Sequence, residues 1–202
     1  MRKPTNCEVG GTLAAVTAAM LWTACLAHQQ ESAAKSHATA TPLPDRLHAA
    51  LPRIHGMRWL VHLLPLIMLA LVVAYLPTLA VLRLLQIYAL ILFLRAISFW
   101  VTRVPPPRAN CNPYKVRHMY VGGCSDMMYS GHTSVLVLGA LFLYTYGTQP
   151  ALRVAAVLLA LGGIFLILCT RHHYSADVLV AIYISALAFA AFRITPSAQQ
   201  QQ

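Results

Sequence analysis

The sequence predicts an all-α, polytopic membrane protein built as a bundle of six transmembrane helices, and three observations predict it. Hydrophobic residues make up 58% of the 202 residues and charged residues only 10%, with a mean hydropathy of +0.62. A soluble domain of this size needs far more charge to cover its surface. The apolar residues gather into runs of about 20, the length that carries a helix across the hydrocarbon core. Short breaks of Pro, Gly and polar residues separate these runs and read as turns between antiparallel helices. Soluble enzymes and disordered chains are thereby excluded.

Four runs are unambiguous: 57–76, 79–101, 151–170 and 174–194. A fifth, 133–147, is shorter, and Ser130-Gly131-His132 extend it into the interface. The sixth, 11–27, follows Arg2 and Lys3 and ends in small residues. Its length is short for a span and long for a secretory signal, so a retained first span and a cleaved signal both fit. Residues 28–56 are rich in Ala, His, Pro and Ser without a period and read as an exposed linker. Its histidines, His28, His37, His48 and His55, are assigned no catalytic part. The expected organisation is an N-terminal part, 1–56, of span or signal plus linker; a transmembrane core, 57–196, to which any catalysis belongs; and a disordered tail, 197–202.

Lys and Arg outnumber Asp and Glu by 15 to 5. The basic residues lie between apolar runs, not in one patch, which points away from nucleic acid and toward anionic head groups or phosphate-bearing substrates. Five cysteines form no zinc pattern. Cys25 and Cys169 lie in apolar runs, while Cys111 and Cys124 share the loop 102–131 and could pair if it faces an oxidising compartment.

The order of spans makes a geometric prediction. The chain leaves the long loop at His132, crosses, turns at Pro150 and crosses back to Arg171-His172-His173. Each crossing covers about 24–30 Å, so His132 and His173 return to the same face. Only two carboxylates follow residue 45, Asp126 and Asp177, and ionisable groups this sparse near a membrane suggest function. An i, i+4 spacing stacks His173 and Asp177 at a helix start, where the carboxylate can fix the imidazole tautomer and leave the other nitrogen nucleophilic, or form a surface ion pair. In Tyr129-Ser130-Gly131-His132-Thr133, Ser130 suits an N-cap and Gly131 lets an anion approach the helix N-terminus. His132 would stand beside that anion as general acid and base; a plain cap with an interfacial histidine is the alternative. Two histidines on one face, one oriented by an aspartate, suit displacement at phosphorus through a phosphohistidine. Arg95, late in a span where a cation is unexpected, joins Arg103, Arg108, Lys115, Arg117 and Arg171 near that face as candidates for gripping phosphate or for snorkelling. His172 adjoins the site. No carboxylate or histidine cluster suits Mg²⁺ or Zn²⁺, so neither metal nor cofactor is expected.

These residues resemble a known family. Cys124-Ser125-Asp126-Met127-Met128-Tyr129-Ser130-Gly131-His132-Thr133 is similar to the C-G-D-x-x-x-S-G-H-T signature of the sphingomyelin synthases and related sphingolipid synthases. His173-Tyr174-Ser175-Ala176-Asp177-Val178, with Ala181 and Tyr183, resembles their H-Y-T-x-D-V-x-x-A-x-Y stretch, and Arg95 to Ser98, Thr102 and Pro105-Pro106-Pro107 resemble R-x-x-[ST]…T-x-x-P. The resemblance covers about residues 90–190. It implies the six-helix, metal-free fold of the type 2 phosphatidic acid phosphatase superfamily and transfer of a phospho-head group from a glycerophospholipid to ceramide. It implies His173 as nucleophile oriented by Asp177, His132 as acid and base, and Asp126, Arg95, Ser130, Gly131 and Tyr129 as substrate-binding. Asp126 would attract a cationic choline or ethanolamine head, whereas inositol would need hydrogen-bonding partners. The phosphatases' K-x6-R-P is missing and their second-motif arginine position is Ile167, which favours the synthase branch. The family implies a Golgi or plasma membrane and a lumenal or exoplasmic site, although the distribution of basic residues argues the opposite orientation. The rivals are a lipid phosphate phosphatase, a phosphatidylcholine:diacylglycerol cholinephosphotransferase and a non-catalytic membrane scaffold.

Overall fold

A computed structural model describes residues 4–34, 41–102, 104–107 and 127–192, and these contain seven helices and no strand. They are α1 (Asn6–Ala34), α2 (Arg46–Ala50), α3 (Arg58–Tyr75), α4 (Thr78–Val101), α5 (Gly131–Tyr146), α6 (Pro150–Cys169) and α7 (Ser175–Phe192). Local chemistry sets most of the boundaries. Thr5 and Glu8 form a reciprocal capping box at the start of α1, with Thr5 N donating to Glu8 Oε2 (2.7 Å) and Glu8 N to Thr5 Oγ1 (3.2 Å). Pro77 precedes α4, and Pro150 begins α6, where its missing N–H costs nothing.

Five helices, α1 through Leu26, α3, α4, α6 and α7, are long and apolar enough to cross a membrane, and α5 is a shorter apolar helix. The described residues are thus all-helical outside their turns and connecting segments, and the chain is a multi-pass membrane protein. The expected count of six is met at full length by five. The shortfall lies in α5, whose 16 residues between the Ser130 and Gly147 caps rise only about 24 Å. Leu66, Val73, Leu158, Leu161 and Leu187 are exposed on the outside of the bundle, as lipid contact requires.

The short helix is the central one. α5 packs against α3, α4, α6 and α7. Two glycines let it do so. A Cβ on Gly139 would overlap the Met68 side chain of α3, and one on Gly163 of α6 would meet Leu136 of α5. In lipid, where apolar burial gives little net drive, close approach at small residues is what holds helices together. α1 lies outside this core along α4, through Ala19, Ala89 and Leu92, with Gln86 Nε2 donating to Thr12 Oγ1 at 3.0 Å.

The linker is where the chain departs most from expectation. α1 continues to Ala34, and residues 41–56 form a strap with one short helix, α2, capped by Asp45 Oδ1 accepting from His48 N (3.0 Å). Most strap side chains remain exposed, yet its backbone is tied to the α6–α7 turn. Ile54 N donates to Cys169 O at 3.0 Å, and the Arg171 guanidinium donates to the carbonyls of His48 and Leu51. The expected tail and most of the loop 102–131, with Arg103, Arg108, Lys115, Arg117 and the Cys111/Cys124 pair, lie outside the described residues.

Candidate active site

The site forms where the start of α5 meets the α6–α7 turn. Ser130 is the N-cap of α5, its Oγ accepting from Thr133 N at 3.2 Å, and its own N–H donates to Asp177 O at 3.2 Å. That bond ties the two sequence motifs together directly. Gly131 leaves room beside the helix end. A Cβ there would lie 3.9 Å from Arg95 Nε and 3.7 Å from the Tyr88 hydroxyl. Arg95 itself is buried, with Nε donating to Tyr129 O (2.7 Å) and the guanidinium 5.6 Å from the Phe99 ring centroid. A cation is therefore fixed beside the positive end of a helix dipole, an arrangement suited to an anion.

The turn carries the second half. Arg171 has φ 55°, a left-handed conformation that reverses the chain after α6 and starts α7 four residues later. His173 and Asp177, both buried, meet at 3.3 Å between Nδ1 and Oδ2. The same Oδ2 accepts from Tyr174 N at 3.1 Å. With Nδ1–H engaged by the carboxylate, Nε2 is left as the lone-pair nitrogen, the state a nucleophile needs. The His132 and His173 ring centroids are 6.3 Å apart, close enough to stand on either side of one phosphorus.

Not every candidate plays the expected part. Tyr129 is 2% exposed, and its hydroxyl donates to Ile91 O at 2.5 Å. Burial pushes that phenol upward in pKa, with Arg95 partly offsetting it. Tyr129 therefore anchors the motif to α4, and its hydroxyl is turned away from the anion position. Arg171 is committed to the strap and to Leu168 O, so it is not available to grip phosphate. Asp126 lies outside the described residues.

The strap supplies groups that the sequence did not point to. His48, set aside as a linker histidine, donates from Nε2 to His173 O at 3.0 Å. Asp45 accepts from Ser175 N (2.7 Å) and Ser175 Oγ (2.6 Å), and Leu43 N donates to the Tyr174 hydroxyl at 3.0 Å. Burial works to raise the Asp45 pKa, but these hydrogen bonds outweigh it and hold the carboxyl below its ordinary range. Burial lowers His48 despite the Asp45 charge. Within the exposed linker expected at residues 28–56, residues 41–56 are therefore a clamp on the backbone of the turn that carries His173.

His62 of α3 is the other group missed. Its Nδ1 lies 2.9 Å from His132 Nε2, and its ring centroid is 5.2 Å from that of His172. His62, His132 and His172 each offer a ring nitrogen, and these lie within 4.8 Å of one another. The expectation that no histidine cluster suits a metal fails here because the three residues are far apart in the chain. A histidine one turn into an apolar run was the available signal.

Comparison with known proteins places these motifs. Residues 123–194 match the family described as PAP2 superfamily C-terminal. The chain is 36% identical over 130 residues to a phosphatidylethanolamine:ceramide ethanolaminephosphotransferase of Trypanosoma brucei brucei, covering 56% of this chain and 40% of that protein. It is 33% identical over 125 residues to a phosphatidylinositol:ceramide inositolphosphotransferase of Trypanosoma cruzi (54% and 37%), and 33% identical over 119 residues to the human phosphatidylcholine:ceramide cholinephosphotransferase 1 (47% and 29%). The resemblance read from the motifs is borne out in these matches. The chain spans two fifths or less of the length of these relatives.

Proposed function

We propose that this chain is a lipid phosphotransferase that moves a phospho-head group from a glycerophospholipid to ceramide and releases diacylglycerol. The observation that carries the reading is the 6.3 Å pairing of His132 with an aspartate-bound His173 at the capped start of α5, beside Arg95. The relatives' names, which join ceramide to ethanolamine, inositol and choline phosphates, support the substrate classes. The six-span superfamily architecture, with α5 as a short span, and a lumenal or exoplasmic site in a Golgi or plasma membrane belong to the same proposal.

In this reading the donor phosphate lies against the α5 N-terminus and Arg95. His173 Nε2 attacks phosphorus, forming a P–N bond as the bond to the diacylglycerol oxygen breaks, and His132 gives its proton to that oxygen. His132 then takes the proton of the ceramide hydroxyl, whose oxygen attacks phosphorus, and the P–N bond breaks to restore His173. Asp177 holds the imidazole throughout and stabilises the charge it gains. Asp126 sits next to the motif in sequence and is proposed to favour cationic head groups.

The test offers the detergent-purified protein labelled ceramide with phosphatidylcholine, phosphatidylethanolamine or phosphatidylinositol in turn. A labelled phosphoceramide names the donor. Release of free phosphate or free phospho-head group alone assigns water as acceptor and refutes the synthase reading, and transfer to diacylglycerol alone assigns the exchange reaction.

A further inference from the structure

We propose that His62, His132 and His172 form a binding site for a borderline-soft divalent transition ion such as Zn²⁺, and that its occupation silences the acid–base histidine. The three rings stand at the corners of a nearly equilateral triangle, with centroid separations of 5.0, 5.2 and 5.1 Å. One nitrogen from each lies within 4.8 Å of the others. Zn–N bonds of about 2.0–2.1 Å in tetrahedral geometry require nitrogens about 3.4 Å apart. The nitrogens therefore need to close by no more than about 1.4 Å along their widest side and to part by about 0.5 Å along the 2.9 Å His62–His132 side, which imidazole rotation can supply.

The donor set selects the ion. Three neutral imidazoles with no carboxylate in the group suit Zn²⁺, Co²⁺ or Ni²⁺ and offer nothing to Mg²⁺ or Ca²⁺, which take oxygen ligands. The rings come from three separate elements: His62 from α3, His132 from the first turn of α5 and His172 from the α6–α7 turn. Met68 packed over Gly139 ties α3 to α5, and Leu136 packed over Gly163 ties α5 to α6, so the approach of the ligands is built into the bundle. Three protein ligands leave a fourth position open, as in other three-histidine sites.

The consequence for the reaction rests on the role given above to His132. His132 Nε2, already 2.9 Å from His62 Nδ1, is the nitrogen that faces the cluster. With Nε2 bound to a metal and Nδ1 carrying the remaining hydrogen, the His132 ring has no lone pair with which to take a proton, so head-group transfer stops. The site is thus an inhibitory one, and transfer itself proceeds without the ion.

The experiment uses the whole chain, purified in detergent without a histidine tag and stripped with chelator. Co²⁺ is titrated and followed by visible absorption, then displaced with Zn²⁺. Expected is one equivalent with the intense bands of tetrahedral Co²⁺, bleached by Zn²⁺ and unmoved by excess Mg²⁺. His62→Ala and His172→Ala should each weaken binding roughly tenfold or more through loss of a ligand, whereas His55→Ala, at an exposed strap position, should not. A second measurement needs no variant. Zn²⁺ should protect His62, His132 and His172 of the unaltered protein from diethylpyrocarbonate and leave His55 reactive. Octahedral Co²⁺ spectra, no saturable binding, or binding and protection indifferent to these residues would overturn the site. In parallel, Zn²⁺ should inhibit phosphoceramide formation in the unaltered protein, and the His62→Ala and His172→Ala proteins, each scaled to its own metal-free rate, should resist it. Metal binding without any transfer activity refutes the proposed function and leaves the site standing; transfer without metal binding does the reverse.

Discussion

Replacing Asp45 by Ala tests whether the strap governs the turn that carries His173, the proposed nucleophile. The carboxylate of Asp45 uses both oxygens, accepting from Ser175 N, Ser175 Oγ and His48 N at 2.6–3.0 Å. Hydrogen bonds to a charged group contribute about 1.5–3 kcal/mol each when buried. Asp45 is half-buried, so the two bonds to Ser175 count near the low end, about 1.5 kcal/mol each, while the N-cap bond to His48 N lies within the strap and does not enter the docking equilibrium. Together the loss is about 3 kcal/mol, which corresponds to roughly 100-fold in the equilibrium for strap opening. The remaining links, from Leu43, His48, Arg171 and Ile54, keep the strap docked most of the time. Hydrogen exchange is the direct assay. The amides of Leu43 and Ile54, whose partners are on the turn and not on Asp45, should exchange roughly 100-fold faster at the limit set by that equilibrium. Transfer should fall in kcat more than in KM, because Asp45 is placed to fix the turn and not the donor, and Asp45→Asn should recover part of both. Unchanged exchange at Leu43 and Ile54 together with full activity would refute the reasoning.

The other predictions follow from the same geometry. His132→Ala and His173→Ala should each abolish transfer, and combining them should cost little more, since groups acting in one step fail together; independent, additive losses in phosphoceramide formation would contradict this. Arg95→Met should lower kcat/KM by about 10²–10³ for every donor head group alike, because the guanidinium is proposed to hold the phosphate that all donors share; a loss confined to one head group in the three-donor assay would assign Arg95 elsewhere. Acid should loosen the strap. The folded pKa values of Asp45 and His48 both lie below their ordinary ones, so their contributions are full above the unfolded values, about 3.9 and 6.5, and are lost as pH falls through the folded ones. Opening, read from Ile54 amide exchange corrected for intrinsic rate, should therefore rise in two steps, below about pH 6.5 and again below about pH 4. Gly163→Leu should destabilise the bundle by about 1–3 kcal/mol through overlap with Leu136, visible as a lower thermal midpoint in detergent; an unchanged midpoint would mean that α5 and α6 do not approach as closely as described.

Local rules made half of the site legible. Ser130 before an apolar run announces a helix cap, and His173 with Asp177 at i, i+4 announces a stacked pair; both depend on neighbours a few residues away, and both occur in the structure. The out-and-back spans bring His132 to His173 because helix rise and turn position are enough to fix which end returns where. What stayed hidden depends on distant partners. Residues 41–56 lack any hydrophobic period because they bury little, and their structure comes from hydrogen bonds to residues more than 100 positions later. His62 gains its meaning from Pro65-containing α3 lying against α5, which no local pattern encodes. Arg171 and Tyr129 were placed in the correct neighbourhood, but the direction of a side chain is decided by which carbonyl it finds, here Leu51 and Ile91.

The clamp on the α6–α7 turn also imposes an order on biogenesis. Leu43, Asp45 and His48 leave the ribosome about 130 residues ahead of Tyr174, Ser175 and His173, the groups they bond. Throughout the insertion of α3, α4, α5 and α6 that early stretch has no native partner and must wait in the aqueous phase, which suits its polar, Pro-rich composition. Assembly of the candidate site is therefore a closing event, in which a segment made before α3, α4, α5 and α6 seals against the turn made after them.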